Sequence, residues 1–215
     1  MSTTAICIRP IGSDLVALSA FDTFVRKMGY GGLLLSLCRE ELWILHFDLD
    51  DRKAGELTEM LVNRTGILVN PNTHTNVVVR PNEILPHGRR LGREDLAIAV
   101  WSPEDPQIEP VTVAVKERMG VRNLKALKRL ILWWPHLADG VGGEEDTGSA
   151  TSTREIASSM VATRSRKEGL LANPHYQCWS IIERGFRPQE LLVTISETEA
   201  TVKRQQASRA TNNCC

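Results

Sequence analysis

The chain has 215 residues, with 26 Lys plus Arg against 26 Asp plus Glu, so its formal charge is zero. Hydrophobic residues make up 42% and charged residues 24%, ordinary values for a folded domain. This balance argues against global disorder, a collagen-like repeat and a disulfide miniprotein, and removes the electrostatic pull of a general nucleic-acid binder.

In chain order, Ala5-Ile6-Cys7-Ile8-Arg9-Pro10 alternates as a strand. A helix is predicted over about Asp14–Met28, closed by Gly29 in a left-handed cap. Leu33–Leu49 is long enough for two strands with a turn near Arg39-Glu40-Glu41, and Trp43, Leu45 and Phe47 share one face at period two. A second helix starts at Asp50-Asp51, where carboxylates suit a helix N-terminus. It stops before Asn70-Pro71, because the residue preceding proline disfavours helical geometry. Thr75–Arg80 returns as a strand.

The second half repeats this order. Leu96–Trp101 matches the first strand, with Ile98 and Val100 opposite Ile6 and Ile8. Met119-Gly120 matches Met28-Gly29. Leu124, Leu127, Arg129, Trp133 and His136 fall opposite Leu34, Leu37, Arg39, Trp43 and His46. Gly169-Leu170-Leu171-Ala172-Asn173-Pro174 matches Gly66-Ile67-Leu68-Val69-Asn70-Pro71, and Gln177–Ile181 follows as a strand.

The reading is α+β: two tandem β-α-β-β-α-β units, antiparallel sheets covered by helices, related by a pseudo-twofold axis. The first unit is 1–80, a linker 81–94, and the second unit 95–196 with an inserted Gly-, Ser- and acid-rich loop at 139–150. Gln189–Ser196 is read as an added strand and 197–215 as a flexible polar tail.

The strand ending in Pro10, the helix closing on Met28-Gly29-Tyr30, Trp43–Asp50, and the turns Leu68-Val69-Asn70-Pro71 and Leu170-Leu171-Ala172-Asn173-Pro174 together resemble a family. It is the PurS family, small subunits of phosphoribosylformylglycinamidine synthase, here as a tandem duplication. The resemblance implies a non-catalytic accessory role in purine biosynthesis. Such subunits bridge a glutaminase and an ATP-dependent synthetase and help ammonia pass between them. The family's acidic-Pro-Gln-Gly turn is replaced here by Ile11-Gly12-Ser13-Asp14, and the usual glutamates of the last strand by Thr73-His74-Thr75-Asn76.

No catalytic, cofactor or metal motif is present: no HxxxH, no HxH, no CxxC, and no Lys-Ser/Thr after Gly140-Val-Gly-Gly143. Gly29-Tyr30-Gly31-Gly32 resembles part of an RNA-recognition motif, but leucines follow where sheet aromatics are needed. Cys38 and Cys178 sit in apolar contexts, where thiols are inert. The terminal pair Cys214 and Cys215 is noted as a dithiol that could be modified or bind a soft metal.

The interaction candidates are Lys116, Arg118, Arg122, Lys125 and Arg129, a basic run read either as a solvated helix face or as a docking face for an acidic partner or phosphate, together with Trp134. Adjacent Trp133 and Trp134 cannot both face one core, so one is expected at an interface or over the insertion. His46 and His136, with Arg129, are the candidates for a pocket between the units. An accessory protein contacting other proteins, or itself as a homo-oligomer, is favoured over an enzyme. A stand-alone scaffold reusing the fold and a small-ligand enzyme are the alternatives. Without a signal sequence or an apolar run long enough to span a bilayer, and with an odd cysteine count, the expected location is the cytoplasm.

Overall fold

The computed structural model describes residues 1–85, 96–138, 152–165, 168–182 and 185–212. The fold is α+β, and the described residues form one six-stranded antiparallel sheet and five helices. In chain order these are β1 (Ser2–Pro10), α1 (Leu15–Lys27), β2 (Leu34–Phe47), α2 (Asp51–Thr65), β3 (His74–Val79), β4 (Ala97–Trp101), α3 (Ile108–Val113), β5 (Leu124–Leu137), α4 (Thr153–Val161), β6 (Cys178–Ile182) and α5 (Pro188–Asn212). α3 runs on into a π-helical turn over Ala114–Arg118.

Local chemistry fixes the helix ends. Asp14 caps α1, its carboxylate accepting from the Val16 and Ala17 N–H groups at 2.9 and 3.1 Å. Arg26 and Lys27 occupy its last turn, where the helix dipole favours cations. Gly29 then takes φ 83°. This lets the Tyr30 N–H reach back to the Phe24 carbonyl at 3.1 Å. The turn after α3 repeats the device: Gly120 has φ 70°, and the Val121 N–H bonds the Val115 carbonyl at 3.3 Å. Asp50 caps α2 through the Lys53 N–H at 2.9 Å, and Ser152 with Glu155 forms a reciprocal capping box on α4.

The strand order is β3-β1-β2-β5-β4-β6, so one sheet runs through both halves of the sequence. Its centre is the long antiparallel pair β2·β5, from Leu34↔Leu137 to Phe47↔Leu124, with irregularities near both ends. Here the structure corrects the expected hairpin. Leu34–Phe47 is one 14-residue strand, and Arg39-Glu40-Glu41 lies in its middle. The three charges do not mark a turn because each has a non-local partner: Asp14, Arg9 and Arg129 respectively. Each half therefore reads β-α-β-α-β.

Both faces of the sheet are buried. On one face lie two cores. The first joins Ala17, Ala20 and Phe24 of α1 and Leu34 and Leu37 of β2 to Ile98, Val100 and Trp133 of the second half and to Ile156 and Met160 of α4. The second joins Ile6, Ile8, Trp43 and Leu61 of the first half to Val115, Leu124 and Leu127 of the second. Each fully buried large side chain among them contributes about 1.5–3 kcal/mol.

The opposite face carries a third core, in which Leu42, Ile44, Leu130, Leu132 and Trp134 pack with Leu191 and Ile195 of α5. The predicted added strand at 189–196 and the tail at 197–215 are thus corrected: through Asn212 this segment is a 25-residue helix. Pro188 opens it where a missing N–H costs nothing, Glu190 accepts from the Arg187 N–H at 3.0 Å, and Leu191 and Ile195 recur at a spacing of four. The double cover also corrects the tryptophan argument. Trp133 and Trp134 point to opposite faces, and both are buried because both faces are covered. Of the predicted linker, Leu85 is itself buried, its N–H bonded to the Phe186 carbonyl at 2.9 Å. The insertion at 139–150 and the thiols Cys214 and Cys215 lie outside the described residues.

Candidate functional site

Polar chemistry concentrates along the β2·β5 pair and around a cavity at the end of β4, beside the middle of β5. On the face of α1 and α3, Arg39 on β2 bonds Asp14 at 2.8 Å. Arg129 on β5 makes the matching contact with Asp105 at 3.3 Å and a second with Glu41 at 3.1 Å. Its guanidinium carbon stands 5.8 Å from the centre of the Trp43 ring, whose Nε1–H donates to Glu41 at 2.6 Å. Burial works against the Arg129 charge, but Glu41 and Asp105 outweigh it and hold the pKa above the usual arginine value.

On the α5 face, Glu40 is 3% exposed and ion-paired with Arg9. Burial pushes its carboxyl up from the ordinary glutamate value, while Arg9 and the Trp134 indole pull it back. Lys128 spans to α5 and holds both carboxylate oxygens of Glu199, at 2.7 and 2.9 Å.

The basic run is not one helix face. Lys116 and Arg118 lie on the π-helical turn and Arg122 on the turn before β5, and among the described residues these three form no ion pair. Lys125 and Arg129 lie on β5 and are engaged, Lys125 with Asp48 at 3.4 Å. Trp134 is a core residue, 5% exposed, and not a docking group.

His46 and His136 are not brought together. His46 stands opposite Ala126, with Nδ1 2.9 Å from the Thr3 hydroxyl, and His136 stands opposite Ser36. Ten residues of strand separate these positions, about 30 Å. Burial lowers the His46 pKa, with the N-terminal charge acting the same way.

Cys7 and Cys178 are buried, and burial raises both thiols, so neither is an activated nucleophile. Cys38, expected to be buried, is exposed: alternation turns Leu37 into the core and Cys38 to the other face. Among the described residues no group of three or more His, Cys, Asp or Glu could hold a metal ion.

The cavity has a volume of about 930 Å³. Trp101 closes β4 on one wall, the loop Ser102–Gln107 forms the next, and Arg129 enters from β5. Pro174–Trp179 and the Thr198–Lys203 stretch of α5 complete it. His175 sits in the wall because the Asn173 side chain accepts from its N–H at 3.0 Å. The turn after α2 is tied the same way, with Asn72 N–H on Asn70 at 3.1 Å. Of the expected pocket residues only Arg129 is present. No motif in the sequence marks Trp101, Tyr176, Trp179 or Lys203 as cavity residues, although four of the five tryptophans, Trp101, Trp133, Trp134 and Trp179, fall in the second half.

No protein family, curated protein or solved structure matches this chain. Among the described residues no helix is long and apolar enough to cross a membrane.

Proposed function

We propose that the chain is two copies of one β-α-β-α-β unit joined in tandem about a pseudo-twofold axis. In this reading it works as a non-catalytic bridging protein, resembling a fused pair of PurS-like subunits. The observation that carries the reading is the register of β2 on β5. Arg39 faces Trp133 and Trp43 faces Arg129, the same pair with its members exchanged between halves. The irregularity at Leu34↔Leu137 likewise has its image at Phe47↔Leu124, and Glu41 faces its own counterpart, Ile131.

The two cores follow the same rule. Tyr30, Leu34 and Leu37 meet Ile98, Val100, Trp133 and Leu171 in one, and Val121, Leu124 and Leu127 meet Ile6, Ile8, Trp43 and Leu68 in the other. Such reciprocal burial is what a twofold dimer interface provides, here within one chain.

A bridging protein needs surface rather than chemistry, and the exposed charges of Arg118 and Arg122 with Lys116 offer an acidic partner a docking patch. The reading goes with a cytoplasmic protein whose partners are a glutaminase and an ATP-dependent synthetase. The test is native mass spectrometry of the chain mixed with those two subunits, glutamine and Mg-ATP. A ternary complex weakened by the triple substitution K116E, R118E and R122E is expected. Higher oligomers of this chain alone, with neither subunit retained, would overturn the bridging role and point to a self-assembling scaffold.

A further inference from the structure

The outer face of α1 is apolar where the matching stretch of the second half is not. Ile11, Leu15, Val16 and Leu18 are 59, 75, 51 and 53% exposed, four large aliphatic side chains within eight residues. Ile11 is fixed just ahead of the helix by its N–H, bonded to the Thr73 carbonyl at 2.9 Å. Leu15 and Leu18 are one turn apart, away from Ala17, Ala20 and Phe24, which form the buried side of α1.

The fold does not require apolar residues at these positions. Asp14 and Asp105 make matching contacts with Arg39 and Arg129, and Gly29 and Gly120 make matching turns, both pairs 91 residues apart. The same offset puts Pro106, Gln107 and Glu109 in the places of Leu15, Val16 and Leu18, and all three are exposed. Together the four aliphatic side chains leave about 400 Å² of apolar surface in one place, the size at which a patch marks an interaction site.

No exposed charge interrupts the patch. Asp14, the one ionisable residue between Ile11 and Ser19, accepts from the Val16 and Ala17 N–H groups and from Arg39, and its side chain is 12% exposed. Asp22 and Arg26, further along the helix, pair with each other at 2.7 Å.

These features select the occupant. A twofold axis sets a surface against its own copy, so unpaired charges would repel, and this patch has none. Two copies supply about 800 Å² of apolar surface, and with a rim at Ser19, Asp22 and Arg26 the total reaches the roughly 1,200 Å² of the smaller specific interfaces. A charged partner would find nothing here to pair with.

We propose that α1 is the contact through which two copies of this chain form a twofold dimer, Leu15 and Leu18 of one protomer packing on the same residues of the other. The proposal does not rest on the bridging role. Lys116, Arg118 and Arg122 belong to the other half of the chain, so a dimer that retains both subunits agrees with each reading.

The experiment is sedimentation velocity of the full chain over a concentration series, with reductant present so that the exposed Cys38 cannot cross-link copies. A reversible monomer–dimer equilibrium in the micromolar range is expected for an interface of this size. The double substitution Leu15→Glu and Leu18→Glu should raise the dimer dissociation constant by about tenfold or more. Both positions are exposed, and glutamate suits the first turn of a helix, so the thermal melt should stay unchanged. Leu15→Gln, neutral and a good helix former, should weaken the dimer about threefold. Val113→Glu, at an exposed aliphatic position on α3, is the control and should leave the equilibrium as it was. A chain that stays monomeric at every concentration overturns the proposal, as does a dimer that resists the double substitution. So does a double variant that keeps the dimer and loses the glutaminase or the synthetase, since the patch then belongs to a different partner.

Discussion

Phe24 tests how the two halves depend on one another. It belongs to α1, is 0% exposed, and stacks edge to face on Tyr30 with ring centres 5.2 Å apart. Its buried cluster, however, is completed by Ile98 and Trp133 of the sheet's other half and by Ile156 and Met160 of α4. Phe24→Ala removes a whole ring from this cluster, a loss of about 3–5 kcal/mol. That raises the unfolding constant roughly 150- to 4,000-fold. With a urea slope of about 2 kcal/mol per molar, the midpoint moves down by about 1.5–2.5 M. The discriminating assay is amide hydrogen exchange read by peptide. Protection should fall in Thr153–Val161 of α4 and Ala97–Trp101 of β4, more than 70 residues away in sequence, as well as in α1 itself. If α1 loses protection while α4 and β4 exchange as in the wild type, the cores are not shared between halves and the reasoning is wrong.

Glu40 supplies a pH test. Its carboxyl is pushed above the ordinary glutamate value, so the folded state holds the proton more tightly than the unfolded state. Its contribution to stability is complete below the ordinary value and is lost as pH rises through the raised one. Glu40→Gln should flatten that segment of a melting-temperature-against-pH curve; an unchanged slope would remove Glu40 as its source. Two glycines provide a steric contrast. A Cβ on Gly169 would lie 1.7 Å from the Ala162 carbonyl oxygen, whereas one on Gly66 meets nothing within 4 Å. Both have positive φ, so Gly66→Ala should cost about 1–2 kcal/mol and Gly169→Ala clearly more, as measured by urea unfolding; equal costs would refute the clash.

Elements specified by adjacent residues could be read from the sequence. Asp14 and Asp50 act as caps, Gly29 and Gly120 as left-handed stops, and Trp43, Leu45 and Phe47 share a face as alternation requires. Elements specified by distant partners could not. Arg39-Glu40-Glu41 resembles a turn until Asp14, Arg9 and Arg129 are seen to neutralise it within the sheet. α5 resembles a polar tail because a helix lying on a sheet face needs few apolar positions, here mainly Leu191 and Ile195. The histidine pocket failed for a geometric reason. In an antiparallel pair, matching positions of the two strands lie close only near the midpoint of the ladder, and His46 and His136 sit at its ends. Arg129 lies nearer the midpoint and reaches Glu41 across the two strands.

The pairing of β2 with β5 also sets a schedule for biosynthesis. About 90 residues separate Phe47 from Leu137, so a ribosome adding roughly 5–20 residues per second leaves β2 without its neighbour for about 5–20 s. Throughout that interval a 14-residue strand offers its open backbone edge to any other nascent chain. Yield in cells is therefore expected to depend on chaperone supply and translation speed more than on the equilibrium stability of the finished fold.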